Sequence, residues 1–283
     1  MSDRLSEALR RVPGWSRAEK RIESMPGGLS NQSYRVTVAN EPYVVRLANA
    51  KNAGTETDRV REIEIHQTAA EAGIAPEVLF ADAELLVTRF VEAPPTSPAA
   101  FNDSRFLDTL ADLLRRVHAL PVCGERYDAR RAAGHYEASI RGDSALQSMA
   151  GRCLTIIERA VIELKLDPAT GDGFCCCHND IVGANLLRGD RLWLIDWEYA
   201  ADNDPFFDLA GPLAYHELGR EAQLGLLSAY LGTAAPESRE RLAIMMQLFD
   251  ALYWLWLAWR RSMTQAPETT SELERLTKRL SSD

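Results

Sequence analysis

The feature that most limits the fold is a switch in hydrophobic period about one third of the way along the chain. From Arg21 to about Leu47, apolar and polar residues alternate as on β-strands, with Gly27-Gly28 and Asn40-Glu41-Pro42 as turns. Leu85 to Val91 adds a short apolar strand, and Glu92-Ala93-Pro94-Pro95 reads as a linker. Two helices belong to the same part: residues 3–11, ended near Pro13-Gly14, and residues 56–72, stopped at Gly73 with Pro76 beyond. Past the linker the period is helical. Leu107, Leu110, Leu114 and Val117 make an i, i+3, i+4 stripe, and a long apolar helix, Leu242 to Trp259, comes near the end. Two short strands, Phe174–Cys177 and Leu192–Ile195, lie between them. A β-rich first third before a helical remainder predicts an α+β chain of two lobes, residues 1–92 and 93–283, with a ligand cleft between them.

Charge and cysteine usage remove several classes of function. The net charge is −9, whereas nucleic-acid binding needs clustered Lys and Arg, so no nucleic-acid partner is expected. An acidic chain instead suits a cationic small molecule. The start, Met1-Ser2-Asp3-Arg4, is charged and has no apolar stretch of a secretory signal. As a helix Leu242–Trp259 would be about 27 Å long, close to a bilayer core. Gln247 and Asp250 lie inside it, which predicts a buried helix and no membrane span. Five cysteines, three of them adjacent at Cys175, Cys176 and Cys177, make a poor disulfide framework and show no C-x-x-C metal spacing. Reduced thiols in a cytoplasmic protein are the expectation.

The strongest chemical signal is His178-Asn179-Asp180, with Asn185 five residues after the aspartate and Ile195-Asp196-Trp197-Glu198 at the end of a short strand. Phosphoryl transfer from ATP needs a carboxylate that orients the acceptor hydroxyl and takes its proton. It also needs oxygen ligands for Mg²⁺ from a second carboxylate and an amide. H-x-D-x-x-x-x-N followed by a strand-end Asp supplies that inventory in the order protein kinases use it. No G-x-S-x-G, H-E-x-x-H or post-strand Rossmann glycine pattern competes with it. A protein kinase is not expected, because no A-P-E follows Asp196.

With these residues in place, the chain resembles the aminoglycoside phosphotransferase and choline kinase superfamily. The run Asp196-Trp197-Glu198-Tyr199-Ala200, with Asn203-Asp204-Pro205 and Phe207-Asp208-Leu209-Ala210, is similar to that of bacterial choline/ethanolamine kinases, and the likeness extends from about Gly27 to Trp259. The resemblance implies a two-lobed protein-kinase-like fold and an ATP-dependent kinase that uses Mg²⁺. It implies that Asp180 is the catalytic base, that Asn185 and Asp196 hold Mg²⁺, that Glu198 assists the metal or the substrate, and that Asp208 braces the catalytic loop. Gly27-Gly28-Leu29-Ser30-Asn31-Gln32-Ser33 resembles the phosphate-covering loop, which assigns Gly28, Ser30 and Asn31 to the nucleotide. Glycines there let the backbone approach phosphate oxygens. Arg46, in Tyr43-Val44-Val45-Arg46-Leu47, stands where kinases carry a phosphate-binding Lys. The choline kinase branch commonly has Arg there, and the guanidinium fork grips phosphate bidentately. Arg59-x-x-Glu62 matches the spacing of its acidic partner, which assigns Glu62. Leu86 to Val91 matches the hinge whose backbone, at Arg89 and Val91, pairs with the adenine edge.

That branch holds a quaternary ammonium by cation–π contacts in an aromatic and acidic cage. The resemblance assigns four residues to such a cage: Tyr199 beside the metal motif, and Asp250, Tyr253 and Trp256 at helical spacing in the last apolar helix. Trp254 and Trp259 read as core. One departure is Tyr215, at a place where the branch often has Glu, with Glu217 two residues on. The expected reaction is transfer of the γ-phosphate of ATP to the hydroxyl of a small cationic alcohol of the choline or ethanolamine type. Thiamine and aminoglycosides are the other acceptors implied, and an inactive nucleotide-binding module is the reading outside the enzymes.

Overall fold

The computed structural model describes residues 3–25, 31–48, 59–169, 172–264 and 267–282. The chain divides into two units: Met1–Thr96 with Gly183–Ala200, and Ser97–Val182 with Ala201–Asp283.

In the first unit α1 (Asp3–Arg11) precedes β1 (Lys20–Ser24), β2 (Asn31–Val38) and β3 (Glu41–Ala48). Then come α2 (Arg59–Glu71), β4 (Val78–Ala81) and β5 (Leu85–Arg89). The strands form one antiparallel sheet in the order β1-β2-β3-β5-β4. Strand alternation gives it two distinct faces. Val36 and Val38 of β2, Val45 and Leu47 of β3, and Leu85 and Val87 of β5 bury their side chains against Leu5, Leu9, Val12 and Trp15. Arg46, between two of these residues and opposite Leu86, therefore faces the other way. On that side Glu62, Ile65, His66 and Ala69 of α2 are buried. Residues 183–200 join the unit through backbone hydrogen bonds. Thr96 N–H donates to Gly183 O (3.0 Å) and Leu186 O (2.8 Å), Arg188 N–H to Pro94 O (3.0 Å), and Leu194 N–H to Ile74 O (3.0 Å). These bonds fasten the hairpin made by Leu186–Arg188 and Leu192–Leu194.

The second unit is helical, as the long-period apolar pattern predicts. It contains α3 (Ser104–His118), α4 (Ala129–Ile140), α5 (Ser144–Leu164), α6 (Pro205–Tyr215), α7 (Arg220–Leu231), α8 (Pro236–Thr264) and α9 (Pro267–Ser282). Asp103, Asp128, Asp143 and Asp204 cap α3, α4, α5 and α6, each accepting backbone N–H groups that the first turn leaves without helical partners. The long apolar α8 has the length and composition to cross a membrane, but α4, α5, α6 and α9 all pack on it. Its Asp250 is buried and ion-paired with Arg279 of α9. A core position thus accounts for the apolarity of α8. The chain has the expected α+β class, with a β-rich first unit and a helical second one.

One antiparallel pair, Cys175–Cys177 with Ala201–Asn203, lies within the second unit and leads directly into His178 and Asp180. All five cysteines are free thiols. Alternation splits the adjacent three: Cys176 Sγ meets Cys123 Sγ at 3.3 Å, while Cys175 and Cys177 share the other face with their sulfurs 3.8 Å apart.

Candidate active site

The sequence-assigned residues fall into both units. In the first, Arg46 is the centre of a charge cluster. Its Nη1 donates to Glu62 Oε1 at 3.0 Å, and its Nη2 donates to Asp196 Oδ1 at 2.7 Å and Glu198 Oε2 at 3.4 Å. Arg59 Nη1 holds the second oxygen of Glu62 at 2.6 Å, so the Arg59-x-x-Glu62 spacing orients the partner of Arg46. Burial pulls the Arg46 pKa down, but the fields of Asp196, Glu62 and Glu198 outweigh it and hold the guanidinium firmly charged. The three carboxylates differ in access. The side chains of Glu62 and Glu198 are 2% and 12% exposed, whereas Asp196 is 38% exposed. Asp196 is thus the carboxylate that a solvent-borne ion can meet.

Local backbone sets that position. Asp196 adopts a left-handed conformation (φ 69°) after the strand Leu192–Leu194, at the start of the short turn Trp197–Tyr199. Ile195 N–H donates to Asn185 O at 3.0 Å, which ties Asn185 to the residue next to Asp196. Trp197 is fully buried and donates its indole N–H to Leu194 O at 3.2 Å, anchoring the turn that also carries Glu198 and Tyr199. Gly28 and Ser30 lie outside the described residues, and Asn31 is the first residue of β2. Of the hinge pair, Arg89 uses its backbone N–H on Glu77 O (2.9 Å) and its side chain on Glu77 and Glu41. Val91 O accepts from Ala93 N–H at 2.9 Å.

In the second unit, Asp180 follows a loop fixed by Asp208. That carboxylate, fully buried at its side chain, accepts from the backbone N–H of His178 (2.8 Å) and of Asn179 (2.7 Å). His118 Nε2 lies 3.1 Å from Asp208 Oδ2. A carboxylate only accepts, so Nε2 carries the proton; in the neutral ring Nδ1 then accepts the O–H of Tyr230, 2.7 Å away. Burial, helped by Cys175, Cys177 and Asp208 nearby, raises the Tyr230 pKa and keeps its hydroxyl a donor. Asn179 adopts φ 64°, and its amide bonds Ala201 O (3.4 Å) and Asn203 Nδ2 (2.8 Å). His118 and Tyr230 extend the hydrogen-bond chain from Asp208, and no sequence spacing pairs them with it. The brace expected of Asp208 is present.

The assigned acceptor residues of α8 sit in an aromatic group that includes Tyr215. Tyr253 stacks on Trp256 (centroids 5.7 Å, 19°) and packs against Tyr215 at 5.4 Å. Burial, the neighbouring Tyr215 and the carboxylate of Glu272 raise the Tyr253 pKa. Tyr215 is raised by burial first, then by Glu272, with Asp180 also contributing. Asp250, by contrast, is engaged by Arg279. Tyr199 belongs to the first unit, with Asp196. Trp254 is buried as core, its indole N–H on Thr277 Oγ1 at 2.7 Å.

The Asp208 brace has a measurable weight. Asp208→Asn turns one acceptor oxygen into an N–H donor facing other donors, and an unsatisfied buried group costs about 1–3 kcal/mol. The variant is expected to lose that much stability in urea unfolding and to exchange the amides of His178 and Asn179 faster. Unchanged exchange at both amides would show that the carboxylate does not hold the loop.

Comparison with known proteins shows the family. Residues 21–243, well over half of the chain, match the phosphotransferase enzyme family. Protein LicA of Haemophilus influenzae is 28% identical over 249 residues, covering 81% of this chain and 70% of that protein. The crystal structure of choline kinase LicA from Streptococcus pneumoniae superposes with a TM-score of 0.80 at 22% identity, covering 99% of this chain and all of that one. A LicA structure in complex with AMP matches equally well, with TM-score 0.80, 22% identity and 100% and 98% coverage. Charge cluster, braced loop and sequence match together lead to one conclusion: the chain belongs to the phosphotransferase enzyme family and is a small-molecule kinase.

Proposed function

We propose that the chain transfers the γ-phosphate of ATP to the hydroxyl of a small cationic alcohol of the choline or ethanolamine type, in the cytoplasm. Residues 1–92 serve the nucleotide, and residues 93–283 carry the catalytic loop, the metal ligands and the acceptor site. The observation that carries the reading is the buried guanidinium of Arg46, held by Glu62 and by Asp196. A cation aimed in this way, beside an accessible carboxylate, is what a nucleotide triphosphate with its metal ion needs.

In the proposed reaction Asp180 accepts a hydrogen bond from the acceptor hydroxyl and takes its proton as the new O–P bond forms and ADP departs. Arg46 grips the nucleotide phosphates, with Glu62 keeping its fork aimed. Gly28, Ser30 and Asn31 cover the phosphates, and the backbone at Arg89 and Val91 faces the adenine edge, Val91 more directly because the Arg89 N–H is committed to Glu77. Asn185 and Asp196 offer the hard oxygen donors that suit Mg²⁺, and Asp196 has the access such an ion requires. Glu198 supports that set. Bound there, Mg²⁺ supplies charge neutralisation for the phosphates.

The acceptor's charge is argued from the aromatic group. Tyr215, Tyr253 and Trp256 adjoin one another, and the carboxylates of Glu272 and Asp180 both act on Tyr215. Ring faces with nearby carboxylates favour an ammonium, and Tyr199 is assigned to the same acceptor. Asp250 is already matched by Arg279 and Glu272 is paired with Arg275 at 3.6 Å, so the counter-charge falls first to Asp180. The naming of the pneumococcal relative as a choline kinase supports the choline type; thiamine and aminoglycosides are the competing acceptors.

Two variants test the reading. Asp180→Ala is expected to lower kcat by roughly 10²–10⁴-fold, the range of general-base catalysis, with ATP affinity retained. Near-normal turnover would remove Asp180 from the chemistry. Trp256→Leu keeps an apolar side chain but deletes the ring. Losing one cation–π contact of about 0.5–2 kcal/mol should raise the acceptor KM about 2- to 30-fold and leave the ATP KM unchanged. A drop in melting temperature with no change in acceptor KM would make Trp256 a core residue only.

A further inference from the structure

Among the described residues, the proposed phosphotransfer chemistry leaves one His/Cys cluster unused. The ligand atoms of His118, Cys175 and Cys177 all lie within 4.8 Å of one another. We propose that these three side chains form a binding site for a thiophilic divalent cation, Zn²⁺ being the best fit.

Alternation on the strand Cys175–Cys177 is what builds the pair. A C-x-C sequence on a β-strand places both thiols on one face, where a C-x-x-C would split them. Sulfurs held about 2.3 Å from a tetrahedral Zn²⁺ stand about 3.8 Å apart, and Cys175 Sγ and Cys177 Sγ are separated by 3.8 Å. The sulfur spacing thus needs no adjustment to span one edge of the coordination tetrahedron.

The imidazole is prepared in the same sense. Nε2–H donates to Asp208 Oδ2 (3.1 Å), which leaves the lone pair of the neutral ring on Nδ1. That lone pair accepts the hydroxyl of Tyr230 (2.7 Å), and the His118 ring lies with a ligand nitrogen within 4.8 Å of both thiols. The imidazole and the two thiols therefore share one small space, with the Tyr230 hydroxyl at Nδ1. A carboxylate on the far nitrogen of a metal-bound histidine fixes the tautomer and strengthens the ligand, and Asp208 stands in that relation to His118. Binding would release two thiol protons and displace the Tyr230 O–H from Nδ1, giving two thiolates and one imidazole, with the fourth corner on the side of Tyr230. Cys175 is only partly buried, which gives the ion a way in. The site lies one hydrogen bond from the carboxylate that holds the loop before Asp180.

Titration of the chelator-treated chain with Co²⁺, followed by competition with Zn²⁺, tests the proposal. One equivalent of Co²⁺ should produce thiolate-to-metal charge-transfer absorption together with the visible bands of a tetrahedral ion, and one equivalent of Zn²⁺ should erase both. Cys175→Ser should weaken Zn²⁺ binding at least 100-fold with the fold intact by circular dichroism, while Cys153→Ser, on a buried thiol outside the cluster, should leave it unchanged. Absence of the charge-transfer band, or equal affinity in the Cys175→Ser variant, would overturn the site.

Discussion

A fully buried carboxylate is costly unless its lone pairs are used, and Asp208 uses them on two consecutive backbone N–H groups and an imidazole. This one residue reconciles an apolar helix with a polar loop. Every residue of α6 from Phe206 to Ala214 is buried, so Asp208 has no route to water and must take protein donors. The donors it takes are those of the residues that precede Asp180. The loop conformation is thereby set by the core rather than by its own flexibility, and Asn179 can be held at φ 64° without drifting. His118 and Tyr230 extend the same chain of hydrogen bonds to α3 and α7.

The first unit solves a related problem with the opposite charge. Strand alternation drives Arg46 out of the apolar face that holds Val45 and Leu47 and into a setting where its charge must be matched. Three carboxylates match it, one from α2 and two from the turn after the Leu192–Leu194 strand. Because Glu62 is itself held by Arg59, the guanidinium is anchored from one direction while Asp196 remains partly open. A bidentate cation and an accessible carboxylate then adjoin through direct hydrogen bonding. That combination follows from where one strand residue points and from the tie between Ile195 N–H and Asn185 O.

Much of this was legible in the chain itself. The switch from alternating to helical periodicity marks the β-rich and helical parts. The motif from His178 to Glu198 is readable because its carboxylates and amides lie close together in sequence. Strands of three or four residues, such as Val78–Ala81, Leu186–Arg188 and Ala201–Asn203, are too short for any period to register. Partners that meet only through packing leave no spacing to read. His118 reaches Asp208 across 90 positions, and Arg279 reaches Asp250 across 29. Helical spacing puts Asp250 near Tyr253, but only the packing of α9 on α8 reveals that its charge is taken and that Glu272 stands by the aromatic group. The thiols illustrate the same limit. The absence of C-x-x-C argues against a metal site until the strand shows that Cys175 and Cys177 share a face.

The proposed function is phosphoryl transfer from ATP to a charged acceptor. Its most direct test is an ATP-consumption assay of the purified chain with Mg²⁺ against choline, ethanolamine, thiamine, an aminoglycoside and neutral alcohols of similar size, with products identified by phosphorus NMR. The account predicts ADP formed in step with the phosphate ester of a cationic alcohol, choline or ethanolamine foremost, and no ester from the neutral alcohols. Phosphorylation of neutral alcohols alone, or ATP binding without transfer to any acceptor, would contradict it.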